Sequence, residues 1–270
     1  MKKVLVIVIF CFFALSLKAQ QQIVLISPFI PSPDTIWVFL PQRYNPLQNY
    51  PAIYLLHGKG GSYKSWNEII DLDSLATEYN FIIICPDGID DLYYMNSPVN
   101  INYQYESYFF NILYPIILKR FSIDNEKIFI TGFSMGGFGS FYLFLKKPDY
   151  FLSCGSSSGL LDLNYSASKN DRISELLGDY KNNKSRFNKY SPINSLSNIV
   201  GKNKHIFFDC GTEDYLYESN NKFREKCRKL KIKATFISQP GDHNLIYWRE
   251  SVKFQFDFFN KLIAPNKDNK

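Results

Sequence analysis

A serine hydroxyl becomes a useful nucleophile only with a base in hydrogen-bond reach and a carboxylate that fixes the base's tautomer. One serine of this chain sits in a setting suited to that chemistry: Ser134, in Gly132-Phe133-Ser134-Met135-Gly136. The apolar run Ile128 to Ile130 leads into the turn, and Phe138 to Leu145 follows with helical spacing. This is the strand–turn–helix context of a G-x-S-x-G nucleophile elbow. Such a turn holds its serine above a sheet in a strained conformation. The residues two positions away must lack side chains, or strand and helix could not come so close. Gly132 and Gly136 meet that demand.

There are three histidines. His57 lies upstream, inside the Gly-rich turn His57-Gly58-Lys59-Gly60-Gly61. His205 opens a strand-like run and reads as structural. His243, in Pro240-Gly241-Asp242-His243-Asn244, follows the last strand-like run and comes after the serine, as the order Ser…Asp…His requires. It is the expected base. The carboxylate should come from the turn after the preceding strand, Gly211-Thr212-Glu213-Asp214. Asp214 is the first choice, Glu213 the runner-up, and Asp209 a third candidate still inside its strand. An oxyanion formed by attack of Ser134 needs backbone N–H donors already in place. The residue after the nucleophile, Met135, supplies one, and Lys59 or Gly60 is the candidate for the other. Aromatic residues after strand-end turns, Trp66, Tyr93 and Tyr94, read first as core packing, and an exposed one could stack on a sugar or phenolic acyl group.

The elements that must position these groups are legible as short, unbroken apolar runs, the pattern of strands buried on both faces. They fall at 35–40, 52–56, 81–85, 128–130, 152–157, 206–210 and 234–237. Helical patterns lie between them at 72–79, 106–120, 135–146, 216–230 and 247–262, with Pro115 predicting a kink or break. Alternation of strand and helix predicts an α/β fold with a mostly parallel central sheet and helices on both faces. Ligands in such sheets bind at the carboxyl ends of the strands, where Ser134 and the Gly-rich turns fall. Residues 162–197 are Asn-, Ser- and Lys-rich, with a weak helix near 173–177. They read as an insertion, either a partial lid or a plain surface loop.

With 46% hydrophobic residues among 270, one large core is expected, a single domain over 20–270. Residues 1–19 carry Lys2, Lys3 and an apolar run from Val4 to Leu17, the pattern of a secretory signal peptide cut after Ala19. The run is short for a membrane span, so no stable span is expected after cleavage. Loss of three lysines lowers the formal charge from +6 to +3. A mild excess with no basic stripe argues against nucleic acid as a partner. Cys85, Cys154, Cys210 and Cys227 form no C-x-x-C, and neither a metal site nor a cofactor is expected. A disulfide is allowed in an oxidising compartment but not required by a core this size. The tail from 266 to 270 is polar and expected to fray.

LLHGKGGS, CPDG, GFSMGGFGS, CGTEDYL and PGDHNLIYW resemble, in order and context, the esterase D-like esterases of the α/β-hydrolase family. That branch includes feruloyl esterases, S-formylglutathione hydrolases and mycolyltransferase-like proteins. The resemblance spans about 35–262. It implies an α/β-hydrolase fold, with Ser134 as nucleophile, Asp214 as acid and His243 as base. Tyr94-Met95-Asn96-Ser97 also resembles the family's pattern near the cleft, making Tyr94 and Asn96 substrate-binding candidates beside Trp66. The expectation is an exported serine carboxylesterase acting through an acyl-enzyme on a small-molecule or polysaccharide-linked ester, acetyl or feruloyl. The alternatives are an acyltransferase using a sugar acceptor and a non-catalytic carbohydrate-binding derivative of the fold.

Overall fold

The computed structural model describes residues 20–89, 91–165 and 171–264. The expected signal peptide and the polar tail from 266 lie outside them. Among these residues eight strands form one sheet: β1 (Gln20–Leu25), β2 (Asp34–Phe39), β3 (Tyr50–Leu56), β4 (Ile82–Cys85), β5 (Ile123–Gly132), β6 (Ser153–Ser157), β7 (His205–Gly211) and β8 (Lys233–Gln239). Their order is β1-β2-β4-β3-β5-β6-β7-β8. The first two join antiparallel at one edge, and every pairing from β4 to β8 is parallel. The sheet is therefore mostly parallel, as the unbroken apolar runs require. β1 was not expected: its sequence, QQQIVL, has no such run.

Among the described residues there are ten α-helices: α1 (Ser65–Ile69), α2 (Leu72–Tyr79), α3 (Tyr105–Tyr108), α4 (Tyr114–Arg120), α5 (Met135–Lys146), α6 (Asp171–Leu177), α7 (Tyr180–Tyr190), α8 (Pro192–Ser195), α9 (Tyr217–Lys229) and α10 (Leu245–Ile263). Alternate residues of β3 divide between two cores. Ala52, Tyr54 and Leu56 pack with α4, α5 and α9, while Ile53 and Leu55 pack with α1, α2 and α10. Helices thus cover both faces of an α/β-hydrolase fold. Pro115 has the expected effect: a π-helical turn, Phe109–Leu113, separates α3 from α4 and places the proline in the first turn of α4.

Residues 162–197, expected as an insertion, are described except for 166–170. Their described part is largely helical, and Leu163, Ile173, Leu176, Leu177, Phe187 and Ile193 belong to the core that contains α5. Ser97 Oγ donates to the Leu176 carbonyl at 2.6 Å, and Tyr190 stacks on Tyr142 of α5. The segment is built into the fold along α5 and the 97–103 loop. The four described cysteines are buried free thiols. Among the described residues, no helix is long and apolar enough to cross a membrane.

Candidate active site

The elbow is made by close packing of backbone. A Cβ on Gly136 would lie 2.1 Å from the Leu56 carbonyl oxygen, and one on Gly132 would lie 2.5 Å from it. β3, β5 and α5 therefore meet at distances that only glycine allows. Ser134, between them, adopts φ 54° and ψ −116°. That is a conformation a non-glycine residue holds only when its surroundings enforce it. Its own N–H donates to the Ser157 carbonyl at 2.9 Å, tying the turn to the end of β6.

Asp214 and His243 come from the turns after β7 and β8, neighbours in the sheet. The turns are laced together: Thr212 N–H donates to the Gln239 carbonyl and Glu213 N–H to the Gly241 carbonyl, each at 3.0 Å. A Cβ on Gly211 would lie 2.1 Å from the Gly241 oxygen. Glu213 adds a brace. Its carboxylate accepts from the Gly241 N–H and from the Thr212 hydroxyl. Asn244 then caps α10, accepting from the N–H groups of Ile246 and Tyr247.

The result is a continuous chain of hydrogen bonds. His243 Nδ1–H donates to Asp214 Oδ2 at 2.9 Å, and the Ser134 hydroxyl donates to His243 Nε2 at 2.9 Å. Asp214 accepts only, so the tautomer follows from its partner. The Asp214 side chain is fully buried, and that of His243 is 15% exposed. Burial pushes the Asp214 carboxyl up. The bond and charge of His243, Ser158 and the Leu216 N–H more than offset this, and hold it below its ordinary 3.8. Such an arrangement can take a proton from a serine as it attacks and stabilise the imidazolium that forms.

Trp248, in the first turns of α10, joins the two sides. It stacks on Phe133 of the elbow, centroids 4.3 Å apart, and meets the His243 ring edge-on at 5.0 Å. The turn carrying Lys59 runs beside the nucleophile, since a Cβ on Gly58 would lie 3.4 Å from Ser134 Cβ. The N–H groups of Met135 and Lys59 have no acceptor among the described residues. Gly60 does not fit the second donor role, because its N–H is spent on Asp91 Oδ1 at 2.8 Å. Of the two donors expected from this turn, Lys59 alone remains.

The substrate-binding expectations need correction. Trp66 is buried, donates its indole N–H to the Leu56 carbonyl at 3.0 Å and meets Phe133 edge-on. Tyr94 is fully buried, its hydroxyl donating to the His57 carbonyl at 2.9 Å, and Tyr93 is buried as well. Asn96 is half-buried and pairs with Ser107 through its amide N–H and its carbonyl. Trp66 and Tyr94 support the catalytic turns from behind, and Asn96 shapes its loop. Of the two readings of the aromatic rings after strand ends, core packing is the one the structure shows for all three, since the hydrophobic gain of burial holds them in the core.

The remaining candidates fall into structural roles. His57 is buried, donating from Nδ1–H to the Gly58 carbonyl at 2.8 Å and accepting the Gly88 N–H on Nε2 at 2.6 Å. Asp209 is buried in β7 and accepts from Ser157 and Gln255, away from His243. One residue near the base was missed. Tyr215, directly after Asp214, lies with its ring 4.6 Å from the His243 ring and its hydroxyl 3.4 Å from Nε2. An aromatic residue directly after the predicted acid was the available signal.

A model of the family described as "Putative esterase" matches residues 27–263. An acetyl esterase of Caldicellulosiruptor saccharolyticus is 24% identical over 275 residues, covering 93% of this chain and 97% of that one. Among solved structures, an S-formylglutathione hydrolase from Agrobacterium tumefaciens superposes with a TM-score of 0.79 at 20% identity. It covers 91% of this chain and 95% of its own. A ferulic acid esterase superposes with a TM-score of 0.74 at 24% identity, covering 91% and 98%.

Proposed function

This chain belongs to the esterase family and is a carboxylic ester hydrolase, and we propose that it works as an exported serine esterase through Ser134, His243 and Asp214. The observation that carries the reading is the unbroken chain of two 2.9 Å hydrogen bonds from Ser134 through His243 to buried Asp214.

Ser134 Oγ attacks the ester carbonyl carbon as its proton passes to His243 Nε2. The carbonyl oxygen becomes an oxyanion and receives the free N–H groups of Met135 and Lys59, each worth roughly 3–4 kcal/mol in the transition state. Asp214 stabilises the imidazolium through Nδ1–H. As the tetrahedral intermediate collapses, Nε2–H protonates the departing alkoxide and an acyl-enzyme remains. Water then attacks that acyl group, losing its proton to Nε2. The proton returns to Oγ, and the free acid leaves.

The substrates proposed are acyl decorations of polysaccharides, acetyl or feruloyl. Support comes from the names of the relatives, an acetyl esterase and a ferulic acid esterase, and from the export reading of residues 1–19. A secreted form beginning at Gln20 is the expected product of that leader. A fluorophosphonate should label Ser134 in the folded protein, and Ser134→Ala should abolish turnover of p-nitrophenyl acetate. Full activity in the alanine variant would overturn the assignment.

A further inference from the structure

We propose that Tyr215 forms the leaving-group subsite and that the alcohol it accepts is a hydroxylated ring, a pyranoside. This inference rests on the esterase reading above and assigns the residue that selects the sugar alcohol proposed there.

The direction of the chemistry decides which half of the substrate lies here. The carbonyl oxygen faces Met135 and Lys59. The leaving oxygen must come within hydrogen-bond distance of His243 Nε2, which gives it a proton. Tyr215 Oη is already 3.4 Å from that nitrogen. A leaving group whose oxygen meets Nε2 therefore lies beside Tyr215, while the acyl chain lies on the other side of the reacting carbon. Tyr215 is 62% exposed, so its ring is free to meet a ligand. Leu245 and Ile246, two and three residues beyond His243, are also exposed, at 52% and 73%.

One side chain thus presents a flat apolar face and a hydroxyl directed at the reaction centre. A pyranoside matches both: its C–H face lies on the ring, and a hydroxyl next to the ester oxygen meets the phenol. A linear alkyl alcohol uses neither feature fully, and a cyclohexanol ester uses only the face. Burial and the Asp214 carboxylate push the Tyr215 phenol above its ordinary 10. It therefore stays protonated and donates a hydrogen bond without giving up its proton.

The test compares acetates that differ only in the alcohol: a methyl pyranoside acetate, cyclohexyl acetate and ethyl acetate. Wild type, Tyr215→Ala and Tyr215→Phe are measured as kcat/KM. Tyr215→Ala should lower the preference for the pyranoside over ethyl acetate by about tenfold, the upper end of what an aromatic face contributes. Tyr215→Phe keeps the face and should lower the pyranoside-over-cyclohexyl preference by about threefold, one modest hydrogen bond. The acetate-over-butyrate ratio for a fixed leaving group should hold in both variants. Equal loss on all three acetates would overturn the proposal and leave Tyr215 as a positioning residue for His243. A shift in acyl-chain preference would also overturn it. Wild-type protein inert on every acetate would instead strike at the esterase reading itself.

Discussion

The two sides of the site are held by different means. On the elbow side, Gly132, Phe133, Met135 and Gly136 are buried, and the geometry follows from backbone atoms in contact. On the base side, Thr212, Glu213, Asp242 and Asn244 are exposed, and side-chain hydrogen bonds do much of the holding. The nucleophile is therefore fixed by sterics, which leave almost no latitude. Apart from the close approach of Gly211 to Gly241, the base is fixed by several modest interactions, each replaceable. Substitutions at the elbow glycines should cost the fold, and those of the polar side chains around the base should cost rate while the fold survives.

The sharpest test on the base side is Asp214→Asn. The amide offers N–H to Nδ1, which must then accept, so Nε2 carries the proton and cannot take one from Ser134. The expected loss is about 10⁴ in kcat with little change in KM. The melting temperature should stay close to that of wild type, because Asn keeps the acceptor for the Leu216 N–H, now 2.8 Å from Asp214 Oδ1. On the elbow side, Gly136→Ala places a Cβ 2.1 Å from the Leu56 oxygen and 2.5 Å from its carbon. Neither is the end of a flexible side chain. The expected cost is about 3 kcal/mol of stability or more, seen in denaturant midpoints and soluble yield. A folded, inactive Gly136→Ala with wild-type stability would break the contrast.

Between the two sides lies Asp209, five residues before Asp214. Its Oδ2 accepts from Ser157 Oγ and Gln255 Nε2, each at 3.0 Å, and Oδ1 has no partner among the described residues. Burial pushes its carboxyl from the ordinary 3.8 up to about 7, against the pull of those bonds. Asp34, beneath the 86–88 turn, is pushed to about 7 in the same way. With the folded value above the unfolded one, the native state holds the extra proton between pH 4 and 7. The stability so contributed is whole below about pH 4 and is lost as pH rises through about 7. Thermal melts should fall between pH 5 and 8. Asp209→Asn should flatten part of that slope and gain most at pH 8, leaving the share due to Asp34.

The elbow was legible because sterics leave a mark in residue type: apolar run, glycine, serine, glycine, helix. Ser134, Asp214 and His243 were chosen from the chain alone, and the fold brings them into one hydrogen-bonded line. The parallel strands were legible for the same reason, as apolar runs buried on both faces. The rest depends on partners far along the chain. Whether Lys59 or Gly60 keeps a free N–H is decided by Asp91, 31 residues on. Whether Trp66 and Tyr94 face solvent is decided by packing against Phe133 and His57. Helix α7, YKNNKSRFNKY, buries only Phe187 and has no apolar stripe to announce it. Tyr215 and the Glu213 brace lie in exposed turns, where periodicity carries no signal.

The smallest expected effect belongs to Glu213, and it tests whether the base side is held by parts. The hydrogen bonds from Gly241 N–H and Thr212 keep its carboxyl below its ordinary 4.5. It is therefore ionised at neutral pH, and its contribution fades only as pH falls through that lowered value. Glu213→Ala removes one brace from the loop that presents His243 and leaves the backbone lacing at Thr212 and Glu213 intact. Misplacement of a base by a fraction of an ångström lowers rate without touching ground-state binding. The variant should lose roughly threefold to tenfold in kcat, with KM steady and the alcohol preference unchanged. Tyr215→Ala should show the reverse pattern, a changed preference among alcohols. If Glu213→Ala instead matches Asp214→Asn, the base side has a single essential support and resembles the elbow. If it changes nothing, the backbone lacing alone is enough to hold His243 in place.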